Sequence, residues 1–413
     1  MLNELCNNKL LDIFCNLVQI PSPSLMEQKV ARWIKDFCVK NNLIFSLDSY
    51  ENVHIKIPAK NKPYKPILLS AHMDVVGDNS AIKLIQDGDF IQTDGKRTLG
   101  ADDKAGVACA LMLASELVKS DIDHSGLEIV FTRDEEHGMS GIKHVDFSSL
   151  ESEYVVVIDA DKLGQLQVSG AGYTNAILKV KAKLGGHSGI DIQDQNRLNA
   201  ARLISEIVLS FPQGVFYSDE TGTITSINLG TIIGGNIQNT ASKVAESAVK
   251  SDNYLDYFID NSVTNVINTD AQASFSIRSA NKSKENELIS ILKSEVEKFN
   301  QKYKELASAE IIFSEHLPMF EKANDDKIEK LFTKACEKVN VKPEVSSFHA
   351  GAETHVYAQK HNKHGKKFMP FLLGAADIFN MHSPSEKINY KTLLKGYEVI
   401  KQLFLELNSE KIC

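Results

Sequence analysis

Acidic and imidazole groups follow closely on five apolar runs of this chain. Ile67-Leu68-Leu69-Ser70-Ala71 leads into His72-Met73-Asp74, and Leu99-Gly100-Ala101 into Asp102-Asp103. The run 127–132 is followed by Arg133-Asp134-Glu135-Glu136-His137, Val155-Val156-Val157-Ile158 by Asp159, and Phe371-Leu372-Leu373, further on, by His382. In an α/β sheet, side chains at the carboxyl ends of parallel strands converge on one crevice. Imidazole and carboxylate are ligands that zinc accepts. His72, Asp102 and Glu136 therefore read as most of a site for two metal ions, and the chemistry such sites perform is hydrolytic.

Each piece has an ordinary reading when taken alone. A single histidine is more often structural. In His72-x-Asp74, however, alternate residues of a strand share a face, so Asp74 is placed to hold the second ring nitrogen and fix its tautomer. Asp102 and Asp103 precede a helix, where capping and the helix dipole favour any carboxylate. A carboxylate bridging two cations would also sit there comfortably. Glu135-Glu136 is harder to dismiss, because adjacent carboxylates after a buried strand repel unless they are solvated or metal-bound. Neighbouring residues point apart, so one can ligate while the other works on water. That all five features close apolar strands of one core is what favours function.

The elements that position these groups follow from periodicity. Residues 2–19 have helical spacing of apolar positions and stop at Pro21-Ser22-Pro23. Ser24 is a candidate cap for a helix over 26–41, with Glu27 favouring its dipole. Strands are expected at 43–47, 53–57, 67–70, 127–132 and 154–158, a hairpin outside the main sheet at 82–93, and an Ala- and Leu-rich helix at 105–118. This alternation predicts a layered, largely parallel α/β domain. The pattern changes near Gly170. Strands at 175–184, 223–233, 240–249, 271–278 and 311–314, with helices at 199–210 and 284–302, give a β-α-β-β-α-β order, the ferredoxin-like arrangement. It is read as an inserted α+β domain over 172–318, in which 250–270 fits only as a longer hairpin or an added excursion. Residues 1–171 and 319–413 then form the catalytic domain, which ends in a helix over 390–407.

At 413 residues the chain is too long for one simple core. Its formal net charge of -8 argues against nonspecific nucleic-acid binding. No apolar run reaches membrane-spanning length. Met1-Leu2-Asn3-Glu4 lacks the basic start of a signal peptide. The six cysteines contain no C-x-x-C pair, which predicts reduced thiols, a cytoplasmic location and no zinc–thiolate site.

The ordered stretches HMD, LGADDKAG, TRDEEHG, VIDAD, GGHSG, FSIRSA and MHSPSE resemble the di-zinc aminoacylase/carboxypeptidase class of metallopeptidases. LGADDKAG (99–106) is most similar to its peptidase T branch of tripeptide aminopeptidases. HAGAE (349–353) is similar to the aminoacyl-histidine dipeptidases of the same class. The resemblance covers nearly the whole chain. It implies that His72, Asp102 and Asp159 bind one zinc, that Asp102, Glu136 and His382 bind the other, and that Asp102 bridges them. Cobalt and manganese accept similar ligands. It further implies that Asp74 orients His72, that Glu135 is the general base, and that His187 stabilises an oxyanion, often across a dimer interface. Arg278 would bind a substrate carboxylate, and Asn236 or Asn239 would assist. Asp102 is preferred to Asp103 on the class pattern Ala-Asp-x-Lys, and Asp159 to Asp161 because it follows its strand directly. The expected protein is a cytoplasmic exopeptidase acting on short peptides, dimeric through the inserted lid domain. A dipeptidase or an N-acyl-amino-acid amidohydrolase of the same class is the alternative. An inactive dimeric metal-binding scaffold, the remaining alternative, would have no reason to keep Glu135 beside Glu136.

Overall fold

The computed structural model describes residues 7–220, 222–235, 263–323 and 325–409. The chain divides into two units, one built from residues up to Gly170 and from Phe320 onward, the other from Ala171–Met319.

The first unit is organised by strands that are buried on both faces. β3 (Ile67–His72) and β6 (Leu127–Thr132) are buried at every position, and β7 (Tyr154–Ala160) nearly so. Alternation sorts their side chains: Leu69, Ile129, Phe131, Val156 and Ile158 enter one core, while Leu68, Val130, Val155 and Val157 enter a second. A strand covered on both sides needs continuous apolar sequence. The eight strands run in the order β1-β2-β6-β3-β7-β17-β8-β16, with β1 at Ile44–Leu47, β2 at Val53–Ile57, β8 at Gln165–Gly170, β16 at Glu344–Phe348 and β17 at Met369–Gly374. The centre, β6-β3-β7-β17, is parallel. The β1–β2 and β2–β6 pairs are antiparallel, as is β17–β8, so the sheet is mixed rather than largely parallel. For β17–β8 the reason is topological: β17 comes from late in the chain and lies between the consecutive strands β7 and β8.

The helices are α1 (Lys9–Gln19), α2 (Gln28–Lys40), α3 (Ala101–Leu117), α4 (Ser140–His144), α5 (Ala200–Ser210), α6 (Lys282–Lys302), α7 (Lys327–Lys338), α8 (Thr354–Tyr357) and α9 (Tyr390–Ser409). α1, α2, α3, α7 and α9 contribute to the larger core, and α4 and α8 to the smaller one. α3 lies very close to the sheet. A methyl group on Gly106 would come within 2.4 Å of the Ile158 carbonyl, so only glycine permits that approach. Ser24 does not cap α2. Glu27 occupies the cap position without a side-chain cap bond, and both residues are engaged elsewhere. The expected hairpin forms as β4 (Leu84–Asp87) and β5 (Phe90–Thr93). It joins β18 (Ile378–Phe379) and β19 (Lys387–Asn389) in a separate four-stranded sheet, ordered β18-β19-β5-β4.

The second unit is α+β. β9 (Gly172–Ala182), β12 (Ile224–Gly234), β14 (Asp270–Ser279) and β15 (Ala307–Leu317) run antiparallel in the order β12-β14-β9-β15, with β11 (Gly214–Ser218) added at the edge. α5 and α6 pack on one face, where Ala273, Phe275 and Ile277 meet Ile204, Leu288 and Leu292. The strand read at 240–249, and residues 250–262 of the segment read as an excursion, lie outside the described residues. Of the remainder of that segment, Val266–Ile267 forms β13, which pairs with β10 (Gly186–His187).

The first unit's chain leaves and re-enters at one point. The Gly170 amide donates to the Phe320 carbonyl at 2.8 Å, and the Phe320 amide returns the bond at 3.1 Å. Just inside the second unit, Tyr173 of β9 pairs with Leu317 of β15.

Candidate metal centre

Parallel β3, β6 and β7 end on the same side of the sheet. β3 delivers His72, the turn after β6 delivers Glu135 and Glu136, and β7 carries Asp159. Asp159 lies within β7, one residue before its end, rather than after it. α3 supplies Asp102, and the turn between β18 and β19 supplies His382.

The five candidate ligands meet. His72 Nε2 is 3.0 Å from Asp102 Oδ1 and 3.5 Å from Asp159 Oδ1. His382 Nε2 is 3.0 Å from Asp102 Oδ2 and 3.2 Å from Glu136 Oε1. The two oxygens of Asp102 thus face two different histidines. Glu136 Oε1 is buried, yet it has no hydrogen-bond partner among the described residues, His382 being an ion-pair contact only. Ligand atoms of His72, Asp102 and Glu136 all lie within 4.8 Å of one another, as do those of His72, Asp103 and Asp159. Carboxylates and imidazoles gathered this closely, one with an unbonded buried oxygen, fit divalent cations.

Asp103 also belongs to one of these groups, but its oxygens are engaged. Oδ1 accepts the Gly106 amide at 2.9 Å and Oδ2 the His72 amide at 3.3 Å. Helical conformation is interrupted at Asp102 and Asp103, so the regular turns of α3 start beyond them. Asp103 therefore caps α3 in the ordinary way, while Asp102 directs its carboxylate at the histidines.

Charge explains how so many acids tolerate burial. Burial opposes the imidazolium of His72, but hydrogen bonds to Asp102 and Asp159 outweigh it and hold His72 well above its usual value. Burial likewise opposes charge on Asp102, whose bonds to His382 and His72 keep it below the usual carboxylate range. Asp159 is pushed up to about 7 by burial, against the pull of His72. Glu136 is also pushed up to about 7, by burial first, with Asp102 adding to it. Glu135 is raised well above the carboxylate range by burial, with Asp159 and Glu353 adding to it. Such perturbations cluster where side chains do chemistry or bind ions.

Asp74 lies beside His72 and holds the next loop as well. The closest acceptor to His72 Nδ1 is Asp74's own backbone carbonyl, at 3.1 Å, with Oδ1 at 3.4 Å. Its carboxylate also holds the next loop, accepting the amides of Glu135 (3.0 Å) and Glu136 (3.1 Å) and the Ser24 hydroxyl (2.8 Å). Ser24 is thus recruited to the site rather than to a helix cap. Glu27 is fully buried and accepts the amides of Leu25 (2.8 Å) and Asp134 (3.0 Å) and the guanidinium of Arg133 (2.8 Å). It fixes the other end of the same loop.

Several contributors were not read from the sequence. Lys104 is fully buried, and its ammonium donates to Ser22 Oγ at 2.7 Å. Burial pushes it down to about 8, against Asp74 and Asp103. Its signal was the Lys of the Asp-Asp-Lys run. Glu353 accepts from the Ser70 hydroxyl at 3.1 Å and is pushed up to about 7 by burial. Glu386 is buried among backbone donors. Both end motifs quoted above, yet a carboxylate that bonds a distant hydroxyl or backbone amides looks in sequence like any other acid.

The remaining candidates lie in the second unit. His187 is exposed on β10. Its Nδ1 accepts the amides of Gly189 (3.1 Å) and Ile190 (3.3 Å), which leaves Nε2 as the donor nitrogen. Arg278 of β14 projects opposite the helix-facing residues, with its guanidinium 5.0 Å from the Tyr173 ring centroid. Asn236 and Asn239 lie outside the described residues.

The chain is similar to known proteins over most of its length. The chain is 25% identical to the uncharacterized protein YqjE of Bacillus subtilis over 422 residues, covering 98% of this chain and 99% of the relative. It is 28% identical to peptidase T of Citrobacter koseri over 145 residues, 35% of this chain and 33% of that one. The crystal structure of aminopeptidase PepT from Bacillus cereus superposes with a TM-score of 0.79 at 22% identity, covering 96% of this chain and 98% of that one, and so shares the fold. The family model for peptidase family M20/M25/M40 matches residues 68–406, a span that takes in His72, Asp102, Glu136, Asp159 and His382. The chain belongs to peptidase family M20/M25/M40.

Proposed function

We propose that the chain is a zinc-dependent aminopeptidase that hydrolyses short peptides, tripeptides foremost. One observation carries this reading: each oxygen of the Asp102 carboxylate faces a different histidine, His72 on one side and His382 on the other. His72, Asp102 and Asp159 would hold one ion, and Asp102, Glu136 and His382 the other. When bound, two such ions supply Lewis-acid polarisation of a carbonyl and a water acidified toward neutral pH.

The chain's own residues do the rest. Glu135, anchored through its amide by Asp74, takes the proton of the attacking water and passes it to the leaving amine. A carboxyl raised by burial is basic enough for that task near neutral pH. His187, protonated on Nε2, donates a hydrogen bond to the oxygen on which charge develops. Arg278 pairs with the carboxylate of a free peptide C-terminus. The likeness to peptidase T supports the tripeptide assignment, and the homodimer formed through the second unit is part of the same reading. The cytoplasmic assignment rests on cysteine usage: Cys38, Cys109 and Cys336 are free and buried. Among the described residues, no helix is long and apolar enough to cross a membrane.

The test is hydrolysis of di-, tri- and tetrapeptides and N-acyl amino acids by the metal-loaded enzyme, before and after a chelator. Zinc-dependent release of the N-terminal residue from tripeptides is expected, with cobalt or manganese as substitutes. Preferential turnover of N-acyl amino acids would instead select the amidohydrolase reading. Sedimentation as a monomer would remove the dimer.

A further inference from the structure

Asp102 and His382 come from loops far apart in the chain, and no strand pairing runs directly between them. Four residues after His382, Glu386 provides the link. Its side chain is 1% exposed. Oε2 accepts the Gly100 amide at 2.7 Å and the Thr98 hydroxyl, and Oε1 accepts the Asp102 amide at 3.2 Å. One turn therefore grips the same short loop twice: His382 meets the side chain of Asp102, and Glu386 holds its backbone. The turn is itself braced, since the Glu386 amide donates to the Ser383 carbonyl at 3.0 Å and the Thr93 hydroxyl to the Pro384 carbonyl at 3.4 Å. The loop has little slack of its own. Gly100 has a φ of +75°, and a methyl group there would come within 2.6 Å of Val75 Cγ1.

We propose that Glu386 is the positioning residue that sets Asp102 opposite His382, and that it thereby determines the affinity of the ion held by Asp102, Glu136 and His382. The proposal rests on the ligand assignment made above. Glu386 is not itself a ligand, because both of its oxygens are taken by backbone and hydroxyl donors. A glutamine at this position keeps one acceptor but turns an amide nitrogen, a donor, toward another donor. One side of the grip is then lost, while volume and neighbours are preserved.

Apo-protein titrated with zinc against a chromophoric chelator reads the effect without reference to turnover. Wild type takes up two ions. In Glu386→Gln the ion on the His382 side weakens by about 10–100-fold, the usual cost of losing a group that orients a metal ligand. The other ion shifts only a few-fold, and turnover recovers as zinc is raised. Wild-type affinities for both ions in the variant overturn the proposal even if its melting temperature falls, because Glu386 would then only brace the fold. Should Glu386→Gln not fold, Thr98→Val removes one donor and carries the same readout: a weakened second ion supports the proposal and unchanged affinities refute it. A wild-type chain that takes up fewer than two ions fails the functional reading itself, and the proposal falls with it.

Discussion

Two adjacent aspartates divide binding from folding. Asp102 offers both oxygens to histidines, whereas Asp103 gives both of its oxygens to backbone amides. Asp102→Ala is expected to lose most bound metal while melting near wild type. Asp103→Ala should lose about 1–2 kcal/mol of stability, as cap removal does, and retain more metal. Metal content and thermal melts of the two purified variants decide it, and the reverse order would exchange the two roles. Glu135→Gln should keep both ions yet lose turnover by about 10²–10⁴-fold. Full activity with both ions retained would sink the assignment of the base. Sequence carried this residue scale unevenly. The strand-end positions of His72, Glu136 and Asp159 are legible because burial of the strand forces an apolar run to precede them. Asp74, Glu27 and Glu386 each accept backbone amides, which every residue but proline owns, so nothing in the side-chain pattern marks those bonds.

Among the elements, the seating of α3 on β7 brings Asp102 toward Asp159. The packing depends on the missing side chain at Gly106, where a methyl group would strike the Ile158 carbonyl and Asp103 Oδ1, each at 2.4 Å. Gly106→Ala should therefore cost about 1–3 kcal/mol through overpacking and, by lifting the helix, weaken metal uptake as well. Urea unfolding and a zinc titration on one preparation measure both; a loss of stability with normal uptake would show that α3 yields elsewhere. The central strands and α3 were readable because continuous apolar sequence has few other uses. β8 and β16 were not, since their strands carry polar residues and depend on pairing with chain from elsewhere: β17 lies beside β8, and β16 joins its other edge. Ser24 departs from its local pattern for a related reason. Its local sequence suits a cap, but Asp74, distant in sequence, takes its hydroxyl.

On the scale of the whole molecule, each unit has its own core, and the first is closed by the paired Gly170 and Phe320. A chain in which residues 171–319 are replaced by a short Gly/Ser linker is expected to fold and take up zinc, because all five proposed ligands remain. It should not hydrolyse peptides, because His187 and Arg278 are gone. Peptide hydrolysis at wild-type rates by that chain would remove both residues from the mechanism. The seam also bears on chain entropy. An unstructured loop of this length would resist bringing Gly170 to Phe320, at a cost that grows with the logarithm of its length. Once β9 and β15 have paired, with Tyr173 against Leu317, the ends of the insertion are already held close together. To its host the folded insertion is then topologically a tight turn, and unfolded it is a long tether. The second unit's stability can thus be felt by the first through connectivity alone, without a single side chain passing the message.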